Sequence, residues 1–256
     1  MKGYLLLLLL PLVLSLSQLS YASYNVTHLN TTVMLNSTGA AQVKEVLTVL
    51  VSSNSSIQQY SNARISLNFT LSQWQNLIGP MLTQHIVNPT TGVSEFNLLP
   101  GPIINLTGFH TAYIIMTYEV NNATMVNETS PRVFHYVFND NVLNFEHAVN
   151  GEVLYPNASL TIILPQGSKV LSGISPLPDL PVVGASSDYQ NSTQLTWDRG
   201  ETLSHFNLQF TLQQSLQDEV FGFFSQVYQT LGVFLYIIII ALIAAFIMYT
   251  YYKAKW

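Results

Sequence analysis

The chain has 256 residues, a formal net charge of −5 at pH 7, and a charged fraction of only 8%. All 13 acidic residues lie between positions 45 and 219, where basic residues are scarce, so the sequence offers no cationic footprint for a nucleic acid. It contains no cysteine, which excludes disulfide-bonded modules and thiol chemistry.

The N-terminal segment, residues 1–22, is predicted to be a secretory signal peptide. A single lysine precedes an apolar core at Leu5–Leu14, and the small residues Ser20 and Ala22 occupy the −3 and −1 positions of a cleavage site. A membrane span needs about 20 apolar residues, so this core is too short to be one. An uncleaved anchor extending to Leu19 is the alternative.

Strands are predicted from the alternation of apolar and polar residues that dominates the middle of the chain. The three clearest inward-facing sets are Val43, Leu47, Val49 and Val51 (with Glu45 as the exception), Ala112, Ile114, Met116, Tyr118 and Val120, and Phe206, Leu208, Phe210 and Leu212. Further strands are predicted at Ile65–Phe69, Val133–Phe138, Leu160–Leu164 and Leu195–Trp197. The predicted fold class is all-β, an antiparallel β-sandwich with one C-terminal transmembrane helix.

One helix and one boundary interrupt this pattern. A helix is predicted near Ser72–Leu82, where apolar residues recur at spacings of three and four before Gly79 and Pro80. The polar stretch Asn121–Pro131 is either a linker or a long hairpin loop. The linker interpretation divides the chain into two sandwich domains, residues 23–121 and 122–214.

The sequence is unusually rich in acceptor motifs for N-glycosylation. Ten of its 20 asparagines begin an Asn-x-Ser/Thr sequon, whereas random placement would give roughly four. The predicted sites are Asn25, Asn30, Asn36, Asn54, Asn68, Asn105, Asn122, Asn127, Asn157 and Asn191. This excess predicts a glycosylated protein whose middle region lies outside the cell.

The C-terminal part is predicted to be a juxtamembrane helical stem at residues 215–230 and a transmembrane helix at residues 231–252. The span is uncharged and long enough to cross a bilayer, and the stem could continue it as one helix or lie in the interface. Asp218 and Glu219 precede it while Lys253 and Lys255 follow it, which predicts a cytoplasmic tail at 253–256. Membrane lipid is therefore an expected partner, in a single-pass type I topology.

Catalytic motifs are missing from the sequence, and no catalytic, cofactor or metal residue is predicted. The densest polar cluster is interpreted as a solvated hairpin rim, and consists of Asp140, Asn144, Glu146, His147 and Glu152. A second polar group consists of Asp198, Glu201 and His205. Two carboxylates near Trp197 could suggest acid–base catalysis of the glycosidase type, but the segment is interpreted as a turn between two strands. The six histidines lack metal-ligand spacing. A non-enzymatic protein is expected.

One part of the chain carries a resemblance to a known group of proteins. Leu164–Ser168, Ser175–Pro178 and the strand Leu195–Trp197, followed by Phe206–Leu212, resemble a module of archaeal membrane-anchored surface glycoproteins. The same order is loosely similar to the lumenal β-sandwich of ribophorin I, a non-catalytic subunit of oligosaccharyltransferase. The resemblance implies a structural or interaction component of an archaeal cell envelope, or alternatively an accessory subunit of a membrane enzyme complex. Other envelope or membrane proteins are the implied partners, and any small ligand stays open.

Overall fold

The structure is a computed structural model, and it describes residues 24–66, 68–82, 85, 87, 92–106, 108–144, 146–149, 151–155, 157–179, 189–198, 202–203 and 206–254. The predicted signal peptide, residues 1–22, lies outside the described residues.

Strands make up most of the regular structure between residues 24 and 213. In chain order they are β1 (Tyr24–Leu35), β2 (Ala41–Val51), β3 (Val93–Leu106), β4 (Phe109–Val120), β5 (Thr124–Ser130), β6 (Val133–Phe138), β7 (Glu146–Ala148), β8 (Gly151–Val153), β9 (Ala158–Ile163), β10 (Ser168–Val170), β11 (Gln194–Trp197), β12 (Thr202–Leu203) and β13 (Gln209–Gln213). Four helices accompany them: α1 (Asn54–Ile65), α2 (Leu71–Ile78), α3 (Leu216–Leu231) and α4 (Val233–Ala254). Short 3₁₀ turns lie at Pro80–Leu82, Asp140–Val142 and Tyr189–Asn191.

Two larger sheets and one small sheet organise these strands. Sheet A has six strands in the order β11-β9-β1-β2-β4-β3, and sheet B has four in the order β10-β13-β6-β5. A three-stranded sheet, β12-β8-β7, accompanies them. Within sheets A and B every pairing is antiparallel except that of β1 with β9, which is parallel. The prediction of a mostly antiparallel β-protein is confirmed.

Sheets A and B share one buried core. Each of the inward-facing residues predicted on β2 and β4 is buried, because alternate side chains of these strands point to the same face. Trp197 of sheet A packs edge-on against Phe206 with ring centroids 5.1 Å apart. Phe206 in turn packs against Phe138 of sheet B at 5.6 Å. These aromatic contacts join the two sheets, as expected of a sandwich-like arrangement.

The strand predicted at Ile65–Phe69 is wrong. Residues 54–65 form α1, whose N-cap Ser53 accepts a hydrogen bond from the backbone N–H of Ser56. The buried residues of this helix are Ser56, Tyr60 and Ala63, at spacings of four and three, whereas Ile65, its last residue, is 73% exposed. The apparent alternation therefore began at a helix end, which a period of two cannot distinguish over so few residues.

The helix predicted near Ser72–Leu82 is confirmed as α2 with a following 3₁₀ turn. Thr70 and Gln73 form a capping box at its start, and Gly79 ends it with φ +109°. Trp74 is buried between Tyr60 and Phe69, with ring centroids 5.4 and 5.1 Å away. This contact packs α2 against α1 and holds both helices at one end of the core.

The polar stretch Asn121–Pro131 contains β5, so it is a strand with its flanking turns rather than a structureless linker or loop. The predicted boundary at residue 121 falls in the turn between β4 and β5. Sheet A nevertheless takes β1–β4 from one side of that boundary and β9 and β11 from the other. The division into two sandwich domains stays a prediction, and the two predicted domains share sheet A.

The two C-terminal helices are separate elements rather than one continuous helix. Gly232 lies between them with φ +48°, a conformation that interrupts a right-handed helix and is easiest for glycine. Tyr228 and Tyr236 pack edge-on across the break with ring centroids 6.3 Å apart. Counting the described residues alone, no helix is both long enough and apolar enough to cross a membrane.

Candidate functional site

All ten sequon asparagines lie on the exposed surface of the described structure. Their side chains fall into two groups, those on strands and those in turns or at helix ends. The strand group is Asn25, Asn30, Asn105 and Asn127, and the second group is Asn36, Asn54, Asn68, Asn122, Asn157 and Asn191. Each side chain is therefore accessible in the folded protein, which is the first requirement for a stable surface modification.

The sequon at Asn36 shows how the motif is built into a turn. Asn36 Oδ1 accepts hydrogen bonds from the Thr38 backbone N–H at 3.0 Å, from the Thr38 hydroxyl at 2.7 Å and from the Ala40 N–H at 3.0 Å. Gly39 completes the turn with φ +89°. The side-chain oxygen thus organises the β1–β2 turn, and the amide nitrogen, which would carry a glycan, is left directed away from these bonds.

Two sequons come together on neighbouring strands. Asn30 of β1 and Ser159 of β9 are register partners in the parallel pair. The Ser159 hydroxyl, the third residue of the Asn157 sequon, donates a hydrogen bond of 3.0 Å to Asn30 Oδ1. The parallel pairing therefore places two acceptor sites on one exposed patch of sheet A.

Two turn sequons use the left-handed backbone region. Asn122 has φ +59° and Asn157 has φ +66°. Asparagine tolerates this region better than most residues, because its short polar side chain can hydrogen-bond to the local backbone. These positions therefore favour asparagine for a conformational reason as well as for the motif.

A buried polar network, missed by the sequence analysis, lies in the core under sheet A. Glu45 is fully buried, and its Oε1 accepts a hydrogen bond of 2.7 Å from the Tyr118 hydroxyl. His85 Nδ1 is hydrogen-bonded to the other carboxylate oxygen, Oε2. Burial raises the pKa of the Tyr118 phenol well above its ordinary value, and the adjacent Glu45 carboxylate raises it further.

This network supports packing rather than catalysis. Glu45 has no exposed surface and His85 is also buried, so a substrate cannot reach either group without opening the core. Both carboxylate oxygens have a partner, which removes most of the penalty of burying the group. The signal for it in the sequence was Glu45 itself, the single charged residue in an inward-facing apolar set.

The polar residues considered in the sequence analysis do not converge on a site. Asp140 and Glu146 are exposed and Asn144 is half-buried, while the side chains of His147 and Glu152 lie outside the described ones. His147 and Glu152 are backbone partners in the β7–β8 hairpin, as a hairpin rim requires. Among the residues that the structure describes, no group of three or more His, Asp or Glu side chains could hold a metal ion.

The second cluster is only partly described. Asp198 is exposed, and its backbone N–H donates a hydrogen bond of 2.8 Å to Asp179 Oδ2. Glu201 and His205 lie outside the described residues. The strands flanking 198–201 pair with different partners, since β11 joins β9 and β12 joins β8. Among the described residues, β11 and β12 therefore belong to different sheets and do not pair with each other.

An open groove of about 660 Å³ lies where the β1–β2 turn meets sheet B and the start of α3. Its lining carries amides, hydroxyls and apolar groups but no charge, and includes Thr38, Phe134, Tyr136, Gln166, Leu212 and Gln214. The Tyr136 hydroxyl is already used, since it donates a hydrogen bond of 2.7 Å to the Ser37 carbonyl. Among the described residues of its lining, no charged side chain or histidine is present that could activate a hydroxyl as a nucleophile.

Comparison with known proteins gives no assignment: no protein-family model and no curated protein matches the chain.

Proposed function

We propose that this protein is a type I single-pass membrane glycoprotein of the cell surface, in which an exterior β-domain serves as a non-enzymatic structural or interaction component of an archaeal cell envelope. The observation that carries the proposal is the combination of ten exposed sequon asparagines with an exposed apolar helix at the C-terminus of the same chain.

The apolar helix is α4. Its large apolar and aromatic side chains that are exposed, each by between 44% and 70%, are Phe234, Tyr236, Ile237, Ile239, Ile240, Leu242, Ile243, Phe246, Ile247, Met248, Tyr249 and Tyr251. Soluble monomers rarely leave so large a contiguous apolar surface in water. Acyl chains would cover these side chains on every face of the helix, and residues 231–252 contain no charge that would oppose burial in lipid.

Orientation follows from the charges beside this segment. Lys253 follows it directly and Asp218 and Glu219 precede it, so the basic side faces the cytoplasm and the β-domain lies outside. That is the side on which sequons become glycosylated. The two arguments are independent, since one uses flanking charge and the other uses a motif in the β-domain.

A surface of amides, hydroxyls and glycans suits such a location. The described sequon sites are distributed over both sheets and the helical end. Neutral amides and sugars keep their hydration in acid, where carboxylates would be protonated and lose it. A charge-poor exterior domain therefore gains solubility from the modification itself.

Extraction of native membranes, followed by glycopeptide mass spectrometry and identification of companions, tests the proposal. We expect the full chain in the membrane fraction with several sequons modified. Stoichiometric recovery of a multi-span enzyme, including one that transfers glycans, would instead favour the alternative, a non-catalytic accessory subunit similar to ribophorin I. Recovery of an unmodified chain in the soluble fraction would contradict both.

A further inference from the structure

The edge strands of sheets A and B differ in how they are protected from pairing with another chain, and β5 is the least protected of them. An open edge presents unpaired backbone N–H and C=O groups that can pair with a strand of another chain. The four edge strands are β11 and β3 in sheet A, and β10 and β5 in sheet B.

Three of these edges have an ordinary structural protection. β3 contains Pro100 and Pro102 and two register irregularities, and the Tyr60 hydroxyl of α1 donates to its Gly101 carbonyl at 3.0 Å. β11 is covered by Asp179, whose N–H donates to the Thr196 carbonyl at 2.7 Å. β10 has three residues and an exposed Lys169 in the middle.

β5 has little of this protection. It contains seven residues, all exposed except the first, and has neither proline nor a basic residue. Met125 is 59% exposed and Val126 is 37% exposed. The Thr124 N–H donates to the Gly39 carbonyl at 2.9 Å, but β6 is the only strand that pairs with β5 among the described residues. The backbone of residues 125–130 therefore forms an open edge, and the β1–β2 turn reaches only its first part, where Gly39 lies against Val126.

The backbone alternation shows where a foreign strand would pair. The Thr124 N–H points away from β6, towards Gly39, so the groups of the next even-numbered residues, Val126 and Glu128, also point outwards. Asn127, the exposed residue between them, begins a sequon whose third residue is Thr129. A glycan on this side chain would stand on the exposed face at the sheet edge and crowd the side chains of a strand that pairs there.

We propose that a glycan on Asn127 blocks the β5 edge against pairing with a second copy of this chain. The inference rests on the proposed function, because it requires a glycosylated exterior domain. Charged residues and prolines usually protect an edge strand from pairing with another chain. Charged residues are scarce in this chain, and the glycan on Asn127 would take over that protection.

The test compares variants of the full chain expressed in the native host and extracted in detergent. Asn127→Gln and Thr129→Ala both remove the sequon by different chemistry, whereas Thr129→Ser keeps it and keeps a hydroxyl for the bond to the Val133 carbonyl. Asn68→Gln removes a sequon in the loop between α1 and α2, away from the strand edges. Light scattering after size exclusion gives the oligomer fraction, and mass spectrometry gives the occupancy of each site.

We expect Asn127→Gln and Thr129→Ala to raise the oligomer fraction about tenfold, with Thr129→Ser and Asn68→Gln unchanged. Adding Met125→Lys to Asn127→Gln should restore the monomer, because an edge lysine replaces the glycan as the obstacle. Monomeric Asn127→Gln and Thr129→Ala would overturn the inference. If the wild-type chain is glycosylated at other sequons but not at Asn127, the role given to Asn127 is overturned and the proposed function stands. If the chain carries no glycan, the proposed function is overturned as well.

Discussion

Tyr118 donates a hydrogen bond of 2.7 Å to Glu45 inside the core, and the two residues lie 73 positions apart on the neighbouring strands β4 and β2. The bond gives a fully buried carboxylate one of its two partners, and His85 supplies the other. A polar network of this kind stabilises the fold only while each member keeps its partner.

Tyr118→Phe is therefore expected to destabilise the protein by about 1–3 kcal/mol, because Glu45 Oε1 loses its donor in a site that water does not reach. Urea unfolding of the full chain in detergent, followed by tryptophan fluorescence, measures the change. Tyr113→Phe, on the same strand but on its outward face, is the matched control and should shift stability by less than about 0.5 kcal/mol. Equal effects of the two substitutions would contradict the role given to the network.

Alkaline pH is expected to unfold the protein through its buried tyrosines. Burial raises the pKa of Tyr24 to about 12, against an opposing hydrogen bond, and raises that of Tyr60 further. A raised folded-state pKa contributes stability that is complete below the unfolded pKa of about 10 and is lost as the pH rises through the folded value. Circular dichroism and phenolate absorbance, recorded together, should therefore show unfolding above about pH 10 with a late group of ionising tyrosines. If all tyrosines ionise while the fold stays intact, ionisation of the buried tyrosines is not coupled to unfolding and the prediction is wrong.

Trp197 links sheet A to the loop at Pro176, since its indole Nε1 donates to the Pro176 carbonyl at 3.1 Å and its side chain is fully buried. Trp197→Phe removes this donor and leaves unfilled volume beside Phe206, which should cost about 1–4 kcal/mol. Thermal unfolding measures the loss. Gln194→Ala, an exposed change on the same strand, should have little effect. A Trp197→Phe variant as stable as the wild type would show that the loop contact contributes nothing.

Gly232→Ala is expected to favour one continuous helix over the break between α3 and α4. Among the described residues beyond its neighbours in the chain, no atom lies within 4 Å of the added Cβ. The substitution therefore destabilises the break through its left-handed backbone alone, by about 1 kcal/mol. Because the chain has no cysteine, spin labels can be placed at Gln217 and Thr250 alone. Their separation should increase in the variant towards about 50 Å, the length of a straight helix of that size. An unchanged distance would mean that other residues hold the break.

The sequence predicted the strands that are buried on one face and exposed on the other. In β2 and β4 the buried face is apolar except for Glu45, so alternation was unambiguous. The alternation did not reveal β1, because its buried face includes the polar Thr31. It did not reveal β5 either, because that strand is exposed almost throughout and has no apolar face. α1 was missed because Tyr60 and Ala63 are its only fully buried apolar residues.

Long-range relationships were beyond a single sequence. The parallel pairing of β1 with β9 connects Asn30 to Ser159, and nothing local in either strand specifies the other. For the same reason Glu45 could be recognised as unusual while its partners His85 and Tyr118 could not be identified. The sequons were recognisable because the motif is local, and their exposure agrees with a surface role.

The most direct measurement of the central claim is mass spectrometry of the intact chain from washed native membranes, before and after protease treatment of whole cells. The account predicts that the chain stays with the membrane, carries glycans at several sequons, and loses its β-domain to external protease while the C-terminal helix is retained. A soluble or unglycosylated chain, or a β-domain resistant to protease until the cells are broken, would contradict it.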